Sequence, residues 1–286
     1  MSSIHDRRHI FRRLHEAGGA FIMPNPWDVG TARFLQSLGF KALATTSAGV
    51  AFSQGFPDTD WAVPRDLMLA HIREIVQAVD VPVNADFESG YAHEPGDLAK
   101  NVRLCVETGV AGLSIEDATG ERSRPLYELS LAKERIAAAR AAIDEAGKGV
   151  VLTARAECWL VGHEAPLDEA IRRLVAYSEA GADCLYAPGC RTPEEIRAIV
   201  EAVAPKPVNV LIPAGTTMGL DDFAALGVKR LSGGSALCRV AWQAFMQAAR
   251  QVATTGRFDA LAPAVPFDEI NGFFRDDLAR GRRPRR

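Results

Sequence analysis

Gly109-Val110-Ala111-Gly112-Leu113-Ser114-Ile115-Glu116 is the stretch on which the reading of the fold turns. Gly109 follows an apolar helical pattern and can take the positive φ that ends a helix. Leu113 to Glu116 then alternate apolar and polar, the period of a strand. The same turn recurs as Gly39-Phe40-Lys41-Ala42-Leu43, Gly181-Ala182-Asp183-Cys184-Leu185 and Gly227-Val228-Lys229-Arg230-Leu231. A second version opens strands with proline, at Val81-Pro82-Val83 and Lys206-Pro207-Val208; proline is tolerated at a first strand position. Working outward from these marks gives strands near 20–24, 42–46, 81–86, 111–116, 149–155, 183–187, 207–212 and 228–232. Helices with apolar residues three and four apart fill the gaps, as in Leu67, Ile72, Ile75, Val76 and Val79. Eight βα units of about 35 residues predict an α/β fold, a (β/α)8 TIM-type barrel with an N-terminal helix and a C-terminal helical extension. An open doubly wound sheet is the alternative.

Strands of a parallel sheet covered by helices are apolar on both faces, so polar columns mark a site. Asn84, Asp86 and Glu88 share one side of the third strand, Ser114 and Glu116 one side of the fourth, and Thr153, Arg155 and Glu157 one side of the fifth. Alternation places all three columns in the barrel interior. Asp86, Glu88 and Glu116 would repel one another there unless a cation neutralised them. Oxygen ligands without histidine or cysteine select a hard ion, Mg2+ first and Mn2+ as a substitute. Asp58 and Asp117 are candidates for an outer ring. The competing reading is that Arg155 alone binds these acids as an ion-pair network.

Other signals are smaller. Ser47-Ala48-Gly49 ends the second strand with backbone N–H groups that can approach an anion, or forms an ordinary turn. Ser232-Gly233-Gly234-Ser235 precedes a helix, a place where barrels bind phosphate. Trp27 lines the mouth of the site or packs within its loop, and Asn209 on the seventh strand joins the substrate-binding candidates. His93 and His163 lie in loops and read as solvated. Cys158 and Cys190 have no adjacent base and read as structural.

The chain has 286 residues, 48% of them apolar and 24% charged, with a net charge of -3. That composition suggests a globular protein with no nucleic-acid partner, and the absence of an 18-residue apolar run argues against a membrane span. Five scattered cysteines suggest reduced thiols and a cytoplasmic location. Arg7, Arg8, Arg12 and Arg13 in the first helix have the look of a transit peptide, but Asp6 and Glu16 favour a helix that closes the barrel floor. Residues 1–274 are expected as one domain. Residues 275–286, with six arginines, are expected as a basic flexible tail, with a nucleic-acid arm as the lesser alternative.

Asn25-Pro26-Trp27-Asp28, Ser47-Ala48-Gly49, Asp86-Phe87-Glu88-Ser89-Gly90-Tyr91, Ile115-Glu116-Asp117 and Thr153-Ala154-Arg155 occur in an order that resembles the isocitrate lyase and phosphoenolpyruvate mutase superfamily. The resemblance runs from about residue 20 to 215. It implies that Asp86 holds Mg2+ directly, with Glu88, Glu116 and Asp58 acting through water. It further implies that Ser47, Ala48 and Gly49 receive the substrate carboxylate while Arg155 polarises the oxyanion side. Members of the superfamily stabilise a metal-bound enolate of a small 2-oxo acid and often assemble as homotetramers.

Departures bear on the reaction. The lyases carry Lys-Lys-Cys-Gly-His after strand four and the phosphonate enzymes Lys-x-Asn. Here the loop reads Ala118-Thr119-Gly120-Glu121-Arg122-Ser123-Arg124-Pro125-Leu126. Arg122 and Arg124 are its only cations, so they join Arg155 and Glu116 as catalytic candidates, and the segment 118–130 is expected to be a mobile lid. Glu88 stands in place of a second aspartate. The implied function is a Mg2+-dependent lyase, decarboxylase or hydrolase that cleaves a C–C bond of a small 2-oxo or 2-hydroxy carboxylate. A P–C mutase or hydrolase and an inactive oxo-acid binder are the alternatives.

Overall fold

The structure is a computed structural model that describes residues 3–59, 61–147 and 149–280. Two compact units divide the chain, Met1–Gly234 and Ser235–Arg286. In the first, β1 (Phe21–Met23), β2 (Leu43–Ala44), β3 (Val83–Asp86), β4 (Gly112–Glu116), β5 (Val151–Arg155), β6 (Cys184–Tyr186), β7 (Val208–Leu211) and β8 (Arg230–Ser232) form one parallel sheet. From β2 to β8 each strand pairs with the next in sequence, and β8 returns to β1. The Ala44 N–H donates to the Pro24 carbonyl at 3.1 Å, which brings β2 up to the end of β1. The sheet is therefore the (β/α)8 barrel, and the doubly wound alternative fails because no crossover reverses the strand order. The four repeat glycines all take positive φ, from +85° at Gly227 to +102° at Gly181.

Between the strands run α2 (Val29–Ser37), α3 (Ser47–Ser53), α4 (Arg65–Ala78), α5 (Pro95–Glu107), α6 (Leu129–Glu145), α7 (Pro166–Glu179), α8 (Pro193–Val203) and α9 (Leu220–Ala225). Their apolar faces cover the outside of the sheet, where Ile72, Leu98, Ile136, Leu174 and Ile199 are buried with Leu113, Leu152 and Leu185.

The N-terminal helix α1 (Ile4–Glu16) plugs the barrel floor. Phe11 is fully buried among Phe21, Ala111, Val151 and Cys184, a burial that stabilises by about 1.5–3 kcal/mol. Gly112 has to lack a side chain, since a Cβ there would lie 2.6 Å from the Phe11 ring. The arginines of α1 are ties to this floor. Arg7 donates to the Val76 and Val79 carbonyls, Arg8 to those of Val106 and Val110, and Arg12 pairs with Asp183.

The second unit contains α10 (Ala236–Thr255) and α11 (Phe267–Ala279). α11 runs through position 275, where the basic tail was expected to begin, because the apolar spacing of Phe267, Ile270, Phe274 and Leu278 continues across it. Residues 281–286 of that tail lie outside the described residues.

Candidate active site

β3, β4 and β5 end side by side, and their register places Glu116 directly opposite Arg155. Arg155 Nη1 lies 2.8 Å from Asp86 Oδ1 and 3.0 Å from Glu116 Oε2, and its Nε lies 2.9 Å from Glu157 Oε1. Its Nη2 makes no hydrogen bond to the described residues. Burial works against this guanidinium's charge, but Glu116, Glu157 and Asp86 more than offset it and hold the group charged. Burial pushes the Glu116 carboxyl well above its ordinary value despite Arg155, and raises that of Glu157 as well. The other oxygen of Asp86 accepts from the Ser47 N–H at 2.9 Å and the Ser47 hydroxyl at 3.0 Å.

These groups border a cavity of about 480 Å3 whose walls include Ser47, Asp58, Glu88, Glu116, Arg122 and Arg155. Glu88 has a left-handed backbone, φ +49°, and accepts from the Tyr91 hydroxyl at 2.7 Å. Burial pushes its carboxyl up to about 7. Asp58 is likewise raised, first by burial and then by the charge of Asp86.

Oxygen donors alone, and five acids (Asp58, Asp86, Glu88, Glu116, Glu157) against one central guanidinium, leave negative charge that suits a hard dication. Asp86, Glu88, Glu116 and Asp58 are the residues able to hold it. Among the described residues no three acidic, histidine or cysteine side chains are already drawn together as a metal site; Arg155 lies between Asp86 and Glu116. Both expectations for this cluster thus have a physical footing: the ion-pair network is present, and one arginine does not balance it.

Several expected residues lie elsewhere. Asn209 is buried in the barrel interior, donating to the Ser232 hydroxyl and accepting from Arg230 Nε at 2.8 Å. Trp27 is half-buried in its loop and is not on the cavity wall. Ala48 and Gly49 are buried in the first turn of α3 behind Ser47, with the Gly49 N–H given to the Thr46 hydroxyl. Arg124 faces Glu121 at 3.6 Å, so only Arg122 of the loop pair reaches the wall. Asp117 is a buried brace, accepting from the Glu157 N–H, Arg173 and the Tyr177 hydroxyl. The Gly233 and Gly234 amides expected to meet phosphate both donate to Asn25 Oδ1 at 2.9 Å. Residues 118–126 form a tight hairpin, bridged between Ala118 and Leu126, and 129–130 already belong to α6.

His93 is exposed but bonded, its Nδ1 2.7 Å from the Tyr127 hydroxyl. Cys158 and Cys190 are buried, and burial pushes both thiols up to about 12. Sequence reasoning put Glu157 in the right column without assigning it a role, quoted Ser89 and Tyr91 only as part of the Asp86–Tyr91 motif, and gave no signal for Trp61; these three sit near Glu88.

Carboxylates gathered around an arginine at the C-terminal mouth of the barrel stand where enzymes of this fold carry their active sites. The sequence matches the phosphoenolpyruvate phosphomutase family over residues 11–253. A crystal structure from Burkholderia cenocepacia, provisionally assigned as a lyase/mutase, is 49% identical, with TM-score 0.89 over 95% of this chain and 96% of that one. The 2-methylisocitrate lyase of Escherichia coli is 33% identical over 188 residues, 60% of this chain and 62% of the lyase. A phosphonopyruvate hydrolase solved with oxalate and Mg2+ is 25% identical, with TM-score 0.83 over 96% of this chain and 97% of that one. The chain belongs to the phosphoenolpyruvate mutase/isocitrate lyase superfamily, whose enzymes cleave or rearrange C–C or P–C bonds of small oxo acids.

Proposed function

We propose that the protein is a Mg2+-dependent carbon–carbon lyase acting on a small 2-oxo or 2-hydroxy carboxylate. The observation that carries this reading is Arg155, held charged by three carboxylates at the barrel mouth and lining the same cavity as Ser47 and Glu116. A fixed positive charge in a partly dry site stabilises the enolate oxygen that develops as the C–C bond breaks. Asp86, Glu88, Glu116 and Asp58 would hold Mg2+, which when bound neutralises the acid excess and draws electron density from the 2-oxo group. Ser47 orients Asp86. Arg122 supplies a second positive charge on the wall for the far end of the substrate, as the loop has no lysine or histidine to do so.

We also read the chain as a cytoplasmic homo-oligomer. Cys105, Cys158, Cys184 and Cys190 are buried free thiols, and no helix among the described residues is long and apolar enough to cross a membrane. Val240 and Phe245 of α10 and Phe267 of α11 are 65%, 63% and 79% exposed, an apolar display that a second copy would cover. Light scattering checks this part: a monomer at micromolar concentration refutes it.

Turnover of oxaloacetate, 2-methylisocitrate and phosphonopyruvate, with Mg2+ and after chelation, tests the activity. Metal-dependent cleavage of either C–C substrate supports it. Preference for phosphonopyruvate moves the assignment to P–C chemistry, and binding without turnover of any of the three overturns it.

A further inference from the structure

A second cavity of about 250 Å3 adjoins the first and shares Glu88, Glu116, Ala118, Gly120 and Glu121 with it. Its far wall is Trp61, Ser89 and His93. Three polar side-chain atoms of that wall are already engaged. The Trp61 indole N–H donates to the Ser89 hydroxyl at 2.9 Å, and His93 Nδ1 pairs with the Tyr127 hydroxyl. Apart from His93 Nε2, what the wall offers a ligand is therefore ring surface, with the Trp61 and His93 rings packed at 4.9 Å.

Two independent features mark this wall as a constructed one. The described residues other than glycine with left-handed φ are Trp61 (+56°), Glu88 (+49°) and Tyr91 (+56°); the first two line this cavity, and the Tyr91 ring lies 6.0 Å from that of Trp61. Such conformations are costly and persist where the surroundings impose them. Arg135, 1% exposed and without an ion pair among the described residues, supplies that imposition. Its guanidinium donates to the carbonyls of Ser89, Ala92 and His93 and lies 4.1 Å over the Tyr127 ring. A buried charge spent on fixing one loop gives that loop a defined shape.

From this geometry we propose that the second cavity is a specificity subsite, in which Trp61 packs against an uncharged branched or ring-bearing substituent of the substrate. The proposal rests on the oxo-acid reading above. The substrate class it assigns is a 2-oxo or 2-hydroxy acid with a bulky apolar group beyond the carbon that becomes the enolate. The size is sufficient, since an apolar cavity of about 150 Å3 takes up benzene. The rim selects against an anionic substituent, because Glu88, Glu116 and Glu121 border it. A cationic substituent would compete with Mg2+ for Glu88 and Glu116, and Glu121 already faces Arg124.

Calorimetric titration of the full chain with Mg2+ tests this, using oxalate and pyruvate as probes of the first cavity and 3-methyl-2-oxobutanoate and phenylpyruvate as probes of both. The wild type is expected to bind the substituted acids at least about tenfold more tightly than pyruvate. Trp61→Ala is expected to reduce that preference to less than about threefold while leaving the oxalate Kd within about twofold, and Trp61→Phe to keep most of it, since the ring remains. Retained oxalate affinity also reports that a variant is folded, and Trp61→Phe carries the test if Trp61→Ala does not fold. Oxalate binding with no gain from the substituents overturns the subsite alone, as does a Trp61 variant that weakens oxalate and substituted acids equally. A wild type that binds neither oxalate nor the substituted acids overturns the oxo-acid reading and the subsite with it.

Discussion

His15, under the barrel floor, gives a pH dependence whose size can be worked out. Its Nε2 faces Arg230 Nη1 at 3.1 Å, and a guanidinium can only donate, so Nε2 accepts. The proton therefore sits on Nδ1, which donates to the Phe11 carbonyl at 2.8 Å. A second proton would have to enter at Nε2 against Arg230. Burial first, and then Arg230, push the pKa down from 6.5 to about 3. The folded pKa is depressed, so the unfolded chain binds the proton first and stability is lost as pH falls below about 6.5. Between pH 8 and pH 5 the loss from this one group is about 2 kcal/mol, which at about 2–4 °C per kcal/mol lowers Tm by about 4–8 °C. His15→Gln keeps an acceptor for Arg230 and removes the titration. Thermal unfolding followed by circular dichroism at pH 8 and pH 5 should show a Tm drop smaller by that amount in the variant. Equal drops in the two proteins would refute the assigned tautomer and the buried neutral ring.

Arg155→Met leaves Asp86, Glu116 and Glu157 without their shared cation, and in the absence of metal should cost about 3–5 kcal/mol of stability in urea titrations; a change below about 1 kcal/mol would mean that water, not Arg155, compensates these acids. Asp86→Asn should abolish Mg2+-dependent turnover while shifting the metal-free Tm by less than about 4 °C, because Arg155 keeps two carboxylates and Ser47 keeps an acceptor. Full activity in that variant would remove Asp86 from the metal set. Arg122→Ala should lower kcat/KM at least about tenfold, about 1.4 kcal/mol, and Arg124→Ala less than about twofold, since only Arg122 reaches the cavity wall. The reverse order in steady-state kinetics would show that the hairpin of residues 118–126 turns its other edge to the substrate.

The barrel and the carboxylate column were legible because both follow from local rules. A glycine with positive φ at four of the helix ends and a two-residue alternation in the polar strands are properties of a few neighbouring residues, so Asp86, Glu116 and Arg155 declared a common face before any contact was known. Partnership was not legible. Asn209 and Arg155 both sit at polar positions of interior strands, yet Arg230, twenty-one residues further on, claims Asn209 for the floor network while the acids of β3 and β4 claim Arg155. Asp117, next to Glu116 in sequence, points the other way along the pleat and becomes a brace for Arg173 and Tyr177. Trp61 enters the site only because Arg135 and Ser89, from distant segments, fix the loop it packs on. Alternation sets the face a side chain points to, but which charge it meets depends on contacts between residues far apart in the chain, and those exist only once the eight strands have closed.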